Sequence, residues 1–109
     1  MAQHEFGIME QAPAHGERYD RYEPWKYECV SVHDDFIEPL LSELKKIDFF
    51  WHSIDIEEKG LAYWGITLIP PESMDEMIQV IDGISELYAL KEMLLKAKEK
   101  GQYVIHFGI

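Results

Sequence analysis

The residues of this chain that could do chemistry are few and scattered. Cys29, Ser31 and His33 alternate along YECVSVH, and His106 lies in the apolar ending YVIHFGI. A cysteine with an imidazole beside it can become an activated thiol, because the neighbouring base favours the thiolate. His33-Asp34-Asp35 could offer ligands to a hard or borderline cation. The same residues also suit the start of a helix, with an aspartate capping and acidic side chains in the first turn, and that is the use expected here. His52, Asp55 and Glu57 spell H-x-x-D-x-E, but on a strand residues i and i+3 point to opposite faces, so they do not form one local ligand set. His52 is expected on the helix-facing side as a hydrogen-bonded core histidine. HEFGI lacks the second histidine of a zincin helix, and the chain contains no GxGxxG, GxxxxGK[ST] or GxSxG. No catalytic residue, cofactor or metal is therefore expected.

These residues need elements to hold them. YECVSVH, 27–33, is β-rich and alternating, and reads as a strand. Asp34 or Asp35 then caps a helix over 35–47, in which Ile37, Leu40, Leu41, Leu44 and Ile47 recur at helical spacing and Pro39 falls near the first turn. FFWHSIDI, 49–56, and LAYWGITLI, 61–69, flank a Gly-containing loop, Glu58 to Gly60, and predict a hairpin. Ser73 and Glu76 form a capping box for a helix over 73–100, interrupted or kinked at Asp82-Gly83 and ended by Gly101. Met74, Met77, Met93 and Leu94 fall on its core side. Residues 102–107 form the last strand.

This order, β-α-β-β-α-β, predicts an α+β two-layer sandwich of ferredoxin-like type: a four-stranded antiparallel sheet with both helices on one face. The last strand then pairs with the first, with Tyr103, Ile105 and Phe107 toward the helices and Val104 and His106 away from them. Residues 1–26 hold Pro13, Gly16 and Pro24 and show no sustained period. They are expected to be an N-terminal arm packed on the 27–109 domain through Trp25 and at least one of Phe6, Tyr19 and Tyr22. The echo between HEFGI near the start and HFGI at the end reads as chance.

On that topology one surface collects Cys29, Ser31, His33, Trp51, Ser53, Asp55, Tyr63, Thr67 and His106. The set combines aromatic walls with directed polar groups, as a ligand pocket does. The alternative is that the arm covers this face as a second core. If His106 faces such a surface, its replacement by alanine is nearly silent for folding.

Charge bounds the partners. Asp plus Glu number 21 against 10 Lys plus Arg, a net charge of -11 over 109 residues, which repels nucleic-acid phosphates and anionic lipid. A single cysteine fits a reducing, cytoplasmic setting, and neither a membrane span nor a signal peptide is expected. The leading expectation is a small, acidic, non-enzymatic regulator, inhibitor or immunity-type factor that binds a basic protein partner, with a homodimer also open. The alternative is a small-molecule binder or enzyme using the open sheet face.

Overall fold

A computed structural model describes residues 2–109 of the chain. It is an α+β arrangement in which one antiparallel sheet of six strands carries the helices on one face. The strands are β1 (Gln3–Ile8), β2 (Val30–His33), β3 (Asp48–Trp51), β4 (Glu57–Lys59), β5 (Ile66–Ile69) and β6 (Val104–Phe107), in the spatial order β2-β1-β6-β5-β3-β4. The helices are α1 (Leu41–Leu44), α2 (Met74–Ile81) and α3 (Tyr88–Lys100).

The sheet departs from the four-stranded expectation because residues 3–8 are an inner strand, next to the β2 edge, and not part of an arm, and because Glu57–Lys59 add a strand at the other edge. His4 and Phe6 are fully buried on the helix-facing side, and Ile8 packs there too. The alternation of these three residues is that of a strand inside a sheet. Gly7 faces the other way, where a Cβ would stand 2.6 Å from Tyr27 Cβ and 2.9 Å from Cys29 Sγ. Because β1 is inserted, β6 does not touch β2. It pairs with β1 on one side (Phe6↔His106, Gly7↔Ile105) and β5 on the other (Thr67↔His106, Leu68↔Ile105). The expected pairing of 102–107 with 27–33 therefore does not occur, and the ferredoxin-like strand order is replaced.

The predicted faces are also exchanged. Val104, Thr67, Ile69 and His106 look toward the helices, while Ile105, Phe107, Ile66, Leu68 and Phe50 form a second apolar layer. The physical reason is that all four residues of β6 are buried, so the strand has no polar side by which its inner face could be told from its outer one. The hairpin differs as well. β3 turns back at residues 52–56 to pair with β4, and then receives β5 on its other edge. His52 sits in that turn with φ of 62°, a left-handed conformation rarely taken by a residue other than glycine.

Helix packing is closer to expectation. Met74, Met77, Ile81, Leu90, Leu94 and Ala97 are buried against Phe6, Val32, Phe49, Ile69 and Val104. The chain breaks after α2 at Asp82, with Gly83 at φ of 85°, and α3 ends at left-handed Gly101, where Gln102 N donates to Ala97 O at 2.9 Å. The expected 35–47 helix is instead two 3-10 turns, Asp34–Phe36 and Glu38–Leu40, followed by the single turn of α1. Pro39 accounts for this, since it disfavours the helical conformation at Glu38 and removes a backbone donor. The capping box is replaced too: Ser73 Oγ donates to Asp48 O at 2.6 Å, tying α2 to β3.

Residues 10–27 cross the face opposite the helices. Tyr19, Tyr27 and Cys29 pack on Met9, Ile66, Leu68, Ile105 and Phe107. Tyr19 N donates to His52 O at 2.7 Å, and Gly16 N to Asp55 Oδ2 at 2.7 Å. Trp25, expected as an anchor, is 73% exposed.

Candidate functional site

The nine residues expected on one open face do not share a surface. Cys29 and Ser31 lie on the side crossed by residues 10–27, whereas Thr67 and His106 lie on the helix side. A Cys29–His106 dyad is thus excluded by the sheet between them. The Cys29 thiol donates to Pro24 O at 3.4 Å, and burial pushes its pKa up to about 11, the reverse of activation. His33 accepts from Asp35 N at 3.0 Å, so the imidazole, not an aspartate, caps that turn. Trp51 Nε1 donates to Gly60 O at 2.8 Å. Ser53 and Asp55 belong to the 52–56 turn, where Asp55 N donates to Ser53 Oγ and the Asp55 carboxylate holds His15 and Gly16.

The structure does bring Tyr63, Thr67 and His106 together, with two partners that no local pattern joins to them: His4 and Asp34. His4 Nδ1 is 2.8 Å from His106 Nε2, and His4 Nε2 is 2.8 Å from Asp34 Oδ1. Tyr63 Oη donates to Asp34 Oδ2 at 2.6 Å, His106 Nδ1 is 3.1 Å from Thr67 Oγ1, and Ala62 N donates to Thr67 Oγ1 at 2.8 Å. His4, Thr67 and His106 are fully buried.

One proton arrangement satisfies every group in this array. Thr67 O–H donates to His106 Nδ1, His106 Nε2–H to His4 Nδ1, and His4 Nε2–H to the Asp34 carboxylate. The reverse order would leave the Thr67 hydroxyl proton without an acceptor. Burial and the neighbouring His4 keep the His106 pKa well below its ordinary value, so its imidazole is neutral. Burial opposes ionisation of Asp34, but the bonds from Tyr63 and His4 outweigh it and hold the carboxyl below the usual range. The hydrogen bond to Asp34, with burial and the Asp34 charge, pushes the Tyr63 pKa up to about 12.

An Asp–His–His–Thr series has the order of a general-base relay. Its far end, however, is the fully buried Thr67 hydroxyl, whose donor and acceptor positions are both taken. No substrate atom can reach it, and the array acts as a lock joining β1, β5, β6 and the turn after β2.

Two concave regions among the described residues bear on function. One, of about 930 Å³, lies between residues 8–11 and the end of α3; its lining includes three lysines and three glutamates, a balance that selects neither charge. The other, of about 630 Å³, is floored by Gly65, Ile66, Phe107 and Gly108 and flanked by Tyr22, Trp64, Glu5 and Asp20. Gly108 is required there, since a Cβ would fall 2.2 Å from Tyr63 O. Trp64 is 80% exposed, Tyr22 packs edge-on to Phe107 at 5.7 Å, and Trp25 extends the aromatic patch beyond Tyr22 at 6.3 Å. Sequence reasoning passed over this groove because its members come from five separate segments.

Compared with known proteins, the chain matches no family model, no curated protein and no solved structure.

Proposed function

We propose that this chain is a non-enzymatic protein-binding factor, a regulator or inhibitor of immunity type, that acts in the cytoplasm on a partner with a basic surface. The observation that carries the reading is the groove edged by exposed Trp64 and Tyr22, with exposed Trp25 beside Tyr22, on a chain of net charge -11. Tryptophan and tyrosine anchor protein interfaces more than other residues do, and single-sign charge steers a partner of opposite charge. The alternative of a small-molecule site spread over the second sheet face loses support, because Tyr19 and Tyr27 of the 10–27 segment pack within that apolar layer, and its Ile66 and Phe107 end opens into the aromatic groove instead.

The test is affinity capture from a cell extract at low salt, with the wild type and Trp64→Ala, followed by amide exchange on the complex rebuilt from purified components. A basic partner that is released by salt, lost with Trp64→Ala, and protective of residues 20–25, 64–66 and 107–109 is expected. Protection confined to the β4 edge or to α3 would refute the assignment. So would a complex of two copies of this chain that buries the groove.

A further inference from the structure

Resting on that reading, we infer that the groove between Tyr22 and Trp64 is a seat for an arginine side chain of the partner, with Glu5 as its counter-ion. Glu5 is half-buried on β1 and lines the groove. Its two carboxylate oxygens are held apart in function by two hydroxyls: Tyr22 Oη donates to Oε2 at 3.3 Å and Ser31 Oγ donates to Oε1. These bonds fix the plane of the carboxylate without neutralising it, and each oxygen keeps a second lone pair. The other acid at the rim is already occupied, since Asp20 pairs with Arg18 Nε at 2.9 Å and with His52 Nδ1 at 3.0 Å. Glu5 has no cationic partner among the described residues.

A fixed carboxylate with both oxygens available suits the fork of a guanidinium, which donates two parallel bonds. Tyr22 beside it and the exposed indole of Trp64 offer ring faces on which a planar cation stacks. A lysine ammonium would gain the charge but neither the fork nor the stacking. Arginine is therefore the side chain that this groove distinguishes.

The probes are capped hexa-arginine and hexa-lysine peptides of equal charge, titrated into the full chain with tryptophan fluorescence and amide NMR shifts as readouts. Hexa-arginine is expected to bind more tightly, with the largest shifts at residues 5, 22, 64 and 107–109. Glu5→Gln should weaken it about tenfold, Trp64→Ala about threefold, and Glu57→Gln on the remote β4 edge hardly at all. Trp64 is exposed, so its variant keeps the fold and guards the test if Glu5→Gln disturbs β1. Equal affinity for the two peptides, or equal weakening by Glu5→Gln and Glu57→Gln, would reduce the interaction to diffuse charge and overturn the arginine seat. A basic partner that still protected the groove would in that case leave the protein-binding reading standing. A discriminating peptide response with a partner bound elsewhere would have the opposite meaning.

Discussion

Replacing His106 by leucine keeps most of the side-chain volume and removes two buried hydrogen bonds, leaving His4 Nδ1 and the Thr67 hydroxyl proton without partners. Each orphaned buried group costs about 1–3 kcal/mol, so the variant should lose roughly 2–6 kcal/mol, against about 5–15 kcal/mol for a whole domain. His4→Leu should cost a similar amount, because it strands Asp34 Oδ1 and His106 Nε2. The double variant is the informative one. It leaves Asp34 Oδ1, on a side chain 14% exposed to water, and the Thr67 hydroxyl proton, and it removes the two histidines that each single change would orphan. It should therefore cost no more than either single change, falling short of their sum by about 2 kcal/mol or more. Urea unfolding at pH 7.5 measures all four proteins.

The same measurement against pH has a definite sign. Folded His106 resists protonation, whereas in the unfolded chain it takes a proton near pH 6.5, so below that pH the unfolded state binds more protons and stability falls, by at most about 1.4 kcal/mol per pH unit. Asp34, held low in the fold, adds a further loss below about pH 3.9. His106→Leu should flatten the slope between pH 6.5 and 5. Additive single costs within about 0.5 kcal/mol, or an unchanged slope in the variant, would refute the lock.

Deleting residues 2–8 should abolish cooperative unfolding, because it removes the inner strand between β2 and β6 and with it fully buried Phe6 and His4; a chain that still melts sharply would show that β1 is dispensable. Cys29, with its pKa near 11, should react with a disulfide reagent at pH 8 far more slowly than a free thiol and at the free rate in urea, so rapid labelling of the folded chain would contradict its burial beside Pro24.

What the sequence disclosed, and what it hid, follows the range of the forces involved. Gly101 and the Asp82-Gly83 break were legible because a left-handed cap and a helix stop are decided within a few residues. Met74, Met77 and Leu94 were legible as core for the same reason. β1 was not, since QHEFGI is short, carries a glycine next to its end and is followed by a long polar stretch. Its signal was the alternation His4, Phe6, Ile8, and the echo of HEFGI in HFGI, set aside as chance, joins two segments that pair in the sheet. Asp34 stood out as a helix cap, yet its carboxylate serves residues 30 positions back and 29 ahead. The groove at Trp64 left no local trace at all. His106, expected at an open surface, is buried on both sides because neighbouring strands and the turn after β2 close over it.

The place of β6 between β1 and β5 also sets an order in time. The sheet consists of β2-β1 on one flank and β5-β3-β4 on the other, and β6 is the strand that joins them. His4 and His106, in bonding contact, are 102 residues apart in the chain. On a ribosome the two flanks would therefore stay unjoined until residue 107 had cleared the exit tunnel, with the edges of β1 and β5 unpaired meanwhile. Contacts of such long range form slowly, and unpaired edges are where a nascent chain associates wrongly. The protein must fold after synthesis of this stretch and not during it, so its yield in a cell depends on how long those edges wait.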